Sequence, residues 1–91
     1  MNKVIKFSAT WCQPCKAMKP QFVKFQDSLK EEDVEILDLD VDQDHEDAAK
    51  YGVRSIPYTI FIKDDKVVKA LTGVQTASQL SKVFDEVYKQ N

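Results

Sequence analysis

No stretch of this sequence approaches the roughly 20 consecutive apolar residues of a membrane-spanning helix, so a role as a helical membrane protein is excluded. The beginning, Met1-Asn2-Lys3-Val4-Ile5-Lys6-Phe7, lacks the apolar run of about 7 to 15 residues that marks a secretory signal. The expected location is therefore the cytoplasm. Excess charge of one sign is missing too: 13 Lys and Arg stand against 15 Asp and Glu, a net charge of -2. Such a balance offers no electrostatic reason to bind nucleic acid or an anionic membrane. Carboxylates crowd the stretch from Asp38 to Asp47, which reads as solvated surface. No repeat, low-complexity tract or Gly/Ser linker divides the 91 residues. That length suits one domain, residues 1–91, around a single core.

Metal ligands are scarce. Beyond Cys12 and Cys15 the chain offers only His45 and carboxylates, whereas a structural zinc site takes four ligands. His45 reads as an exposed helix residue, and neither metal nor cofactor is expected. A disulfide framework is excluded as well. It would spread its cysteines along the chain, and closing a four-residue loop constrains almost nothing. The two cysteines are there for chemistry.

Lys3 to Ser8 is a strand ending at Trp11-Cys12. Pro14 suits the first turn of a helix, where its missing N–H costs nothing. Met18, Phe22, Phe25 and Leu29 follow at helical spacing, with Pro20 inside the helix. Val34 to Val41 alternates as a strand, with Leu37, Leu39 and Val41 on one face and Val34, Ile36, Asp38 and Asp40 on the other. A short helix follows from Asp44 to Tyr51, with Gly52 just past its end. Tyr58–Lys63 and Lys66–Thr72 form a hairpin turning at Asp64-Asp65, without the glycine such turns favour. Thr76 and Gln79 supply a capping box for a last helix that buries Leu80, Val83, Phe84, Val87 and Tyr88. The order β-α-β-α-β-β-α implies a parallel strand pair with a right-handed crossover. The hairpin extends the same sheet, and helices on both faces give a three-layer α/β domain.

Two cysteines separated by two residues, where a strand turns into a helix, can close a disulfide with little backbone movement. A sulfur at the helix mouth faces unpaired N–H groups and the positive end of the dipole, which favour its thiolate. Cys12 is thus expected to be the accessible nucleophile. Cys15, one turn in and less exposed, is expected to resolve the mixed disulfide. Trp11 supplies an apolar lip. A C-x-x-C beside a β-α-β pattern is a redox signature.

These residues resemble the thioredoxin family from about Lys3 to the C-terminus. Trp11 to Lys16 matches the family's Trp-Cys-x-Pro-Cys-Lys, and Pro20 its helix-kinking proline. Tyr51-Gly52-Val53-Arg54-Ser55-Ile56-Pro57 resembles the segment leading to the family's cis proline, and Gly73-Val74 the late glycine loop bordering its substrate groove. The resemblance implies a thioredoxin-like fold, a four-stranded mixed sheet of order 2-1-3-4 flanked by three helices. It also implies a substrate site formed by Trp11, Gln13, Pro14, Ile56, Pro57, Gly73 and Val74. A cis bond is expected before Pro57, and Ile56 is expected to pair its backbone with extended substrate.

Three departures stand out. The N-terminal strand and helix of full-length thioredoxins are absent. Gln13 replaces the usual glycine of the motif. The family's buried acid, six residues before the first cysteine, is Lys6, and its lysine on the neighbouring strand aligns with Asp38. Lys6 and Asp38 are therefore expected to form a partly buried ion pair behind the cysteines, with Lys6 favouring thiolate and Asp38 available to take the Cys15 proton. An exposed edge-strand position for Asp38 is the alternative.

The function implied is a monomeric oxidoreductase that reduces protein disulfides and is re-reduced by an NADPH-dependent thioredoxin reductase. A glutaredoxin-like enzyme using glutathione and a non-enzymatic interaction module are the alternatives.

Overall fold

The computed structural model describes residues 2–89. Its elements are β1 (Lys3–Ser8), α1 (Gln13–Ser28), β2 (Glu35–Asp40), α2 (His45–Lys50), β3 (Tyr58–Lys63), β4 (Lys66–Thr72) and α3 (Ala77–Tyr88). The sheet runs β2-β1-β3-β4. β1 and β2 are parallel across the α1 crossover, and β3 and β4 complete the sheet antiparallel. The mixed four-stranded sheet and its order are those expected. Both β2 and α2 stop one residue short of the expected bounds at each end.

Alternation along β1 sorts its residues between two layers. Val4 faces a core shared with Met18, Phe22 and Phe25 of α1, Phe61 of β3, and Leu80 and Phe84 of α3. Ile5 and Phe7 face the opposite side, with Ile60, Ile62 and the partly buried Ala48 and Tyr51 of the α2 region. Each such fully buried aromatic or aliphatic side chain contributes about 1.5–3 kcal/mol of transfer free energy. Two helices thus cover one face and α2 the other.

The hairpin turns without glycine. Asp64 and Asp65 both take left-handed backbone angles, φ 53° and 69°, as a two-residue turn of the mirror-image type demands. Short polar side chains tolerate that region better than branched ones. The capping box of α3 forms as expected: the Gln79 N–H donates to Thr76 Oγ1 at 3.1 Å, and the Thr76 N–H donates to Gln79 Oε1 at 2.8 Å.

Candidate active site

Cys12 is the N-cap of α1, with extended backbone at φ -92° and ψ 110°. Pro14 occupies the first turn, and the Cys15 N–H donates to the Cys12 sulfur at 3.3 Å. One sulfur thus performs the work of a helix cap. It takes the place that a side-chain oxygen usually fills at the start of a helix. Cys12 and Cys15 are joined as a disulfide with Cα atoms 5.3 Å apart.

Both cysteines are buried, at 6% and 3% relative exposure. The expected contrast in accessibility between them is therefore small. What separates them is their surroundings. The Cys12 sulfur lies 4.0 Å from the Ile56 carbonyl oxygen, at the rim where Trp11, Gln13 and Pro14 are exposed. Cys15 lines a cavity of about 360 Å³ on the other side, together with Lys6, Lys16, Lys19, Asp38 and Asp40.

The loop before β3 completes the rim. The Ile56–Pro57 bond is cis, Pro57 is buried, and Ile56 packs against the cysteine pair. The Gly73 N–H donates to the Pro57 carbonyl at 2.8 Å. Its φ of 84° is a left-handed angle that favours glycine. Val74, next along, is 49% exposed. The residues expected to form a substrate surface thus belong to two neighbouring loops and the helix mouth.

Behind Cys15 the ion pair forms. Lys6 Nζ lies 3.1 Å from Asp38 Oδ2 and 4.9 Å from the centre of the Phe22 ring. The Lys6 side chain is 1% exposed and that of Asp38 36%. Asp38 lies on an edge strand and is nonetheless paired, so the ion pair forms in place of the alternative of a merely exposed edge charge. Its other oxygen accepts from Ser8 Oγ at 3.3 Å. Register places Asp38, Lys6 and Thr59 in one row across β2, β1 and β3.

Two residues of this region escape a reading of the sequence. Asp42 accepts a hydrogen bond from Trp11 Nε1 at 2.8 Å, fixing the indole beside the cysteines. Thr59 is fully buried, and its hydroxyl has no hydrogen-bond partner among the described residues. Asp42 is one of many carboxylates in its stretch, and Thr59 is a β-former in a strand. Neither carries a local signal.

A dithiol pair able to close at a helix N-terminus, beside a cis-proline loop, defines a thiol–disulfide oxidoreductase. The thioredoxin family model matches residues 1–86. A thioredoxin of Staphylococcus epidermidis is 39% identical over 84 residues, covering 92% of this chain and 80% of that one. The structure of Fasciola hepatica thioredoxin is 35% identical and superposes with a TM-score of 0.83, over 93% of this chain and 79% of that one. A solved malarial protein at 23% identity shares the fold, with a TM-score of 0.86 over 97% of this chain and 98% of that one. The chain belongs to the thioredoxin family, and it is a protein-disulfide oxidoreductase. Among the described residues, no helix is long and apolar enough to cross a membrane.

Proposed function

We propose that this chain reduces disulfides in extended protein segments, with Cys12 as the attacking sulfur and Cys15 as the resolving one. The observation that carries the reading is the position of Cys12. It caps α1, accepts the Cys15 N–H, and faces the Ile56 carbonyl at the exposed rim. In the first step the Cys12 thiolate attacks one substrate sulfur. The substrate disulfide breaks, one substrate thiolate leaves and takes up a proton, and a mixed disulfide remains. In the second step the Cys15 thiolate attacks the Cys12 sulfur, the remaining substrate thiolate leaves, and the Cys12–Cys15 disulfide closes. Two electrons have passed to the substrate.

The rim supplies recognition. An extended segment aligns along the Ile56 backbone by transient strand addition. Trp11, Gln13 and Pro14 bound it on one side, and Pro57, Gly73 and Val74 on the other. Lys6 and Asp38 serve the cysteines from behind. The chain works as a cytoplasmic monomer and takes its electrons from an NADPH-dependent thioredoxin reductase, as the family membership supports.

The test is trapping. Cys15→Ser incubated with disulfide-bonded insulin accumulates a covalent adduct at Cys12, and Cys12→Ser accumulates none. An adduct at Cys15 in the Cys12→Ser protein would reverse the assignment. Turnover of insulin by the unmodified chain with NADPH and a thioredoxin reductase tests the electron donor.

A further inference from the structure

The cavity behind Cys15 poses a problem of acid–base chemistry. Resolution requires Cys15 to lose its proton, and two carboxylates line the cavity with it. Both are already engaged. Asp38 uses one oxygen for Lys6 and the other for Ser8. Asp40 Oδ1 accepts the backbone N–H groups of Asp42 and Gln43, at 2.8 and 3.4 Å. Asp38 thus has both oxygens occupied, and Asp40 has one turned to the loop after β2.

We propose that Lys6 is a positioning residue that favours the Cys15 thiolate electrostatically, with Asp38 as its counter-ion and not as the proton acceptor. The proposal rests on the role of Cys15 as resolver given above. Its physical basis is the unequal burial of the pair. The Lys6 ammonium is almost wholly removed from water, whereas Asp38 is more than a third exposed and is screened by it. A charge in a low-dielectric setting acts on its neighbours more strongly than a hydrated one, so the field inside the cavity takes the sign of the lysine. The other charged groups lining the cavity with Cys15 are Lys16 and Lys19 from α1 and Asp40 from β2. Counted with Lys6 and Asp38, the cations exceed the anions. The Phe22 ring adds no opposing charge, and its face holds the ammonium in place.

The Cys15 thiol releases its proton to water at the open side of the cavity. Its sulfur then forms the bond to the Cys12 sulfur, the bond from Cys12 to substrate breaks, and the departing substrate thiolate takes a proton from water.

The test uses 5,5′-dithiobis(2-nitrobenzoate) in single turnover between pH 5 and 9, with the fully reduced protein. The first thionitrobenzoate release reports attack by Cys12 and the second reports resolution by Cys15. The two halves of the pair should shift the second release in opposite directions. Lys6→Met is expected to move its pH midpoint up by about one unit, slowing it about tenfold below the midpoint. Lys6→Arg should restore the midpoint, and Asp38→Asn should move it down. A purely structural ion pair would give both substitutions the same sign. Shifts of the same sign, no shift, or an Asp38→Asn rate lowered at every pH with its midpoint unmoved would overturn the proposal, the last by making Asp38 the proton acceptor. Should Lys6→Met fail to fold, absence of a downward shift in Asp38→Asn suffices to overturn it. A second release that persists in Cys15→Ser would instead refute Cys15 as resolver, and the proposal would fall with the reading it rests on.

Discussion

At the scale of single residues, the site depends on a few polar groups in an apolar setting, and each has a measurable consequence. Thr59 is the plainest. Its hydroxyl is buried without a partner among the described residues, and a stranded polar group costs about 1–3 kcal/mol. Thr59→Val keeps the shape and removes the hydroxyl, so it should stabilise the fold by about 1 kcal/mol in urea unfolding. Destabilisation would mean that the hydroxyl is satisfied in solution. Trp11 offers a second test. It is the single tryptophan of the chain, 66% exposed and held by Asp42. Asp42→Ala should free the indole, which fluorescence anisotropy would register as a drop. Stability should change by less than about 1 kcal/mol, because an exposed side-chain hydrogen bond contributes little. The KM for insulin should rise if the indole forms part of the rim. Asp42 and Thr59 were invisible in the sequence because their importance arises across strands and loops. Lys6 was legible, since a lysine between Ile5 and Phe7 on a central strand must be buried and needs a partner. Which carboxylate served as that partner depended on register, and the family comparison pointed to Asp38.

At the scale of elements, legibility followed the strength of local pattern. The apolar stripe of α1 and the Thr76/Gln79 capping box are written in sequence spacing, and both form. The ends of β2 were set by pairing with β1, which runs only from Lys3 to Ser8, and no local signal could reveal that. The N-terminus of α3 also draws on another element. Its Ala77 N–H donates to Gln21 Oε1 of α1 at 2.8 Å, so a side chain of one helix caps the next. Thr76→Ala should therefore cost about 1 kcal/mol. Leu80→Ala, which removes a fully buried side chain from the same helix, should cost about 2–5 kcal/mol. Urea midpoints of the two variants give the comparison. Equal losses would show that α3 is held mainly by its cap and not by its packed face.

At the scale of the whole molecule, Tyr88 ties the last helix to the sheet. Its ring packs on Phe84 at 4.8 Å and on Phe61 at 6.5 Å. Its hydroxyl lies 2.9 Å from the Lys3 carbonyl oxygen and 2.7 Å from that of Ile62, sharing its one proton between β1 and β3. Burial pushes the phenol up from its ordinary value of 10.0 to about 12. A group whose pKa is raised by folding binds its proton more tightly in the folded state. Its contribution is therefore fully present below about pH 10, where the unfolded phenol is also protonated, and is lost as pH rises through about 12. Ionisation leaves no proton for either carbonyl and places a negative charge beside two oxygen dipoles. Unfolding free energy measured by urea titration should accordingly fall between pH 10 and 12 more steeply in the parent chain than in Tyr88→Phe. The variant should be less stable at neutral pH, where it lacks the hydrogen bond, and the gap should close as the pH rises. A gap that stayed constant through pH 12 would show that Tyr88 ionises equally in the folded and unfolded chain. No gap at any pH would show that the last helix is held to the sheet by its apolar face alone.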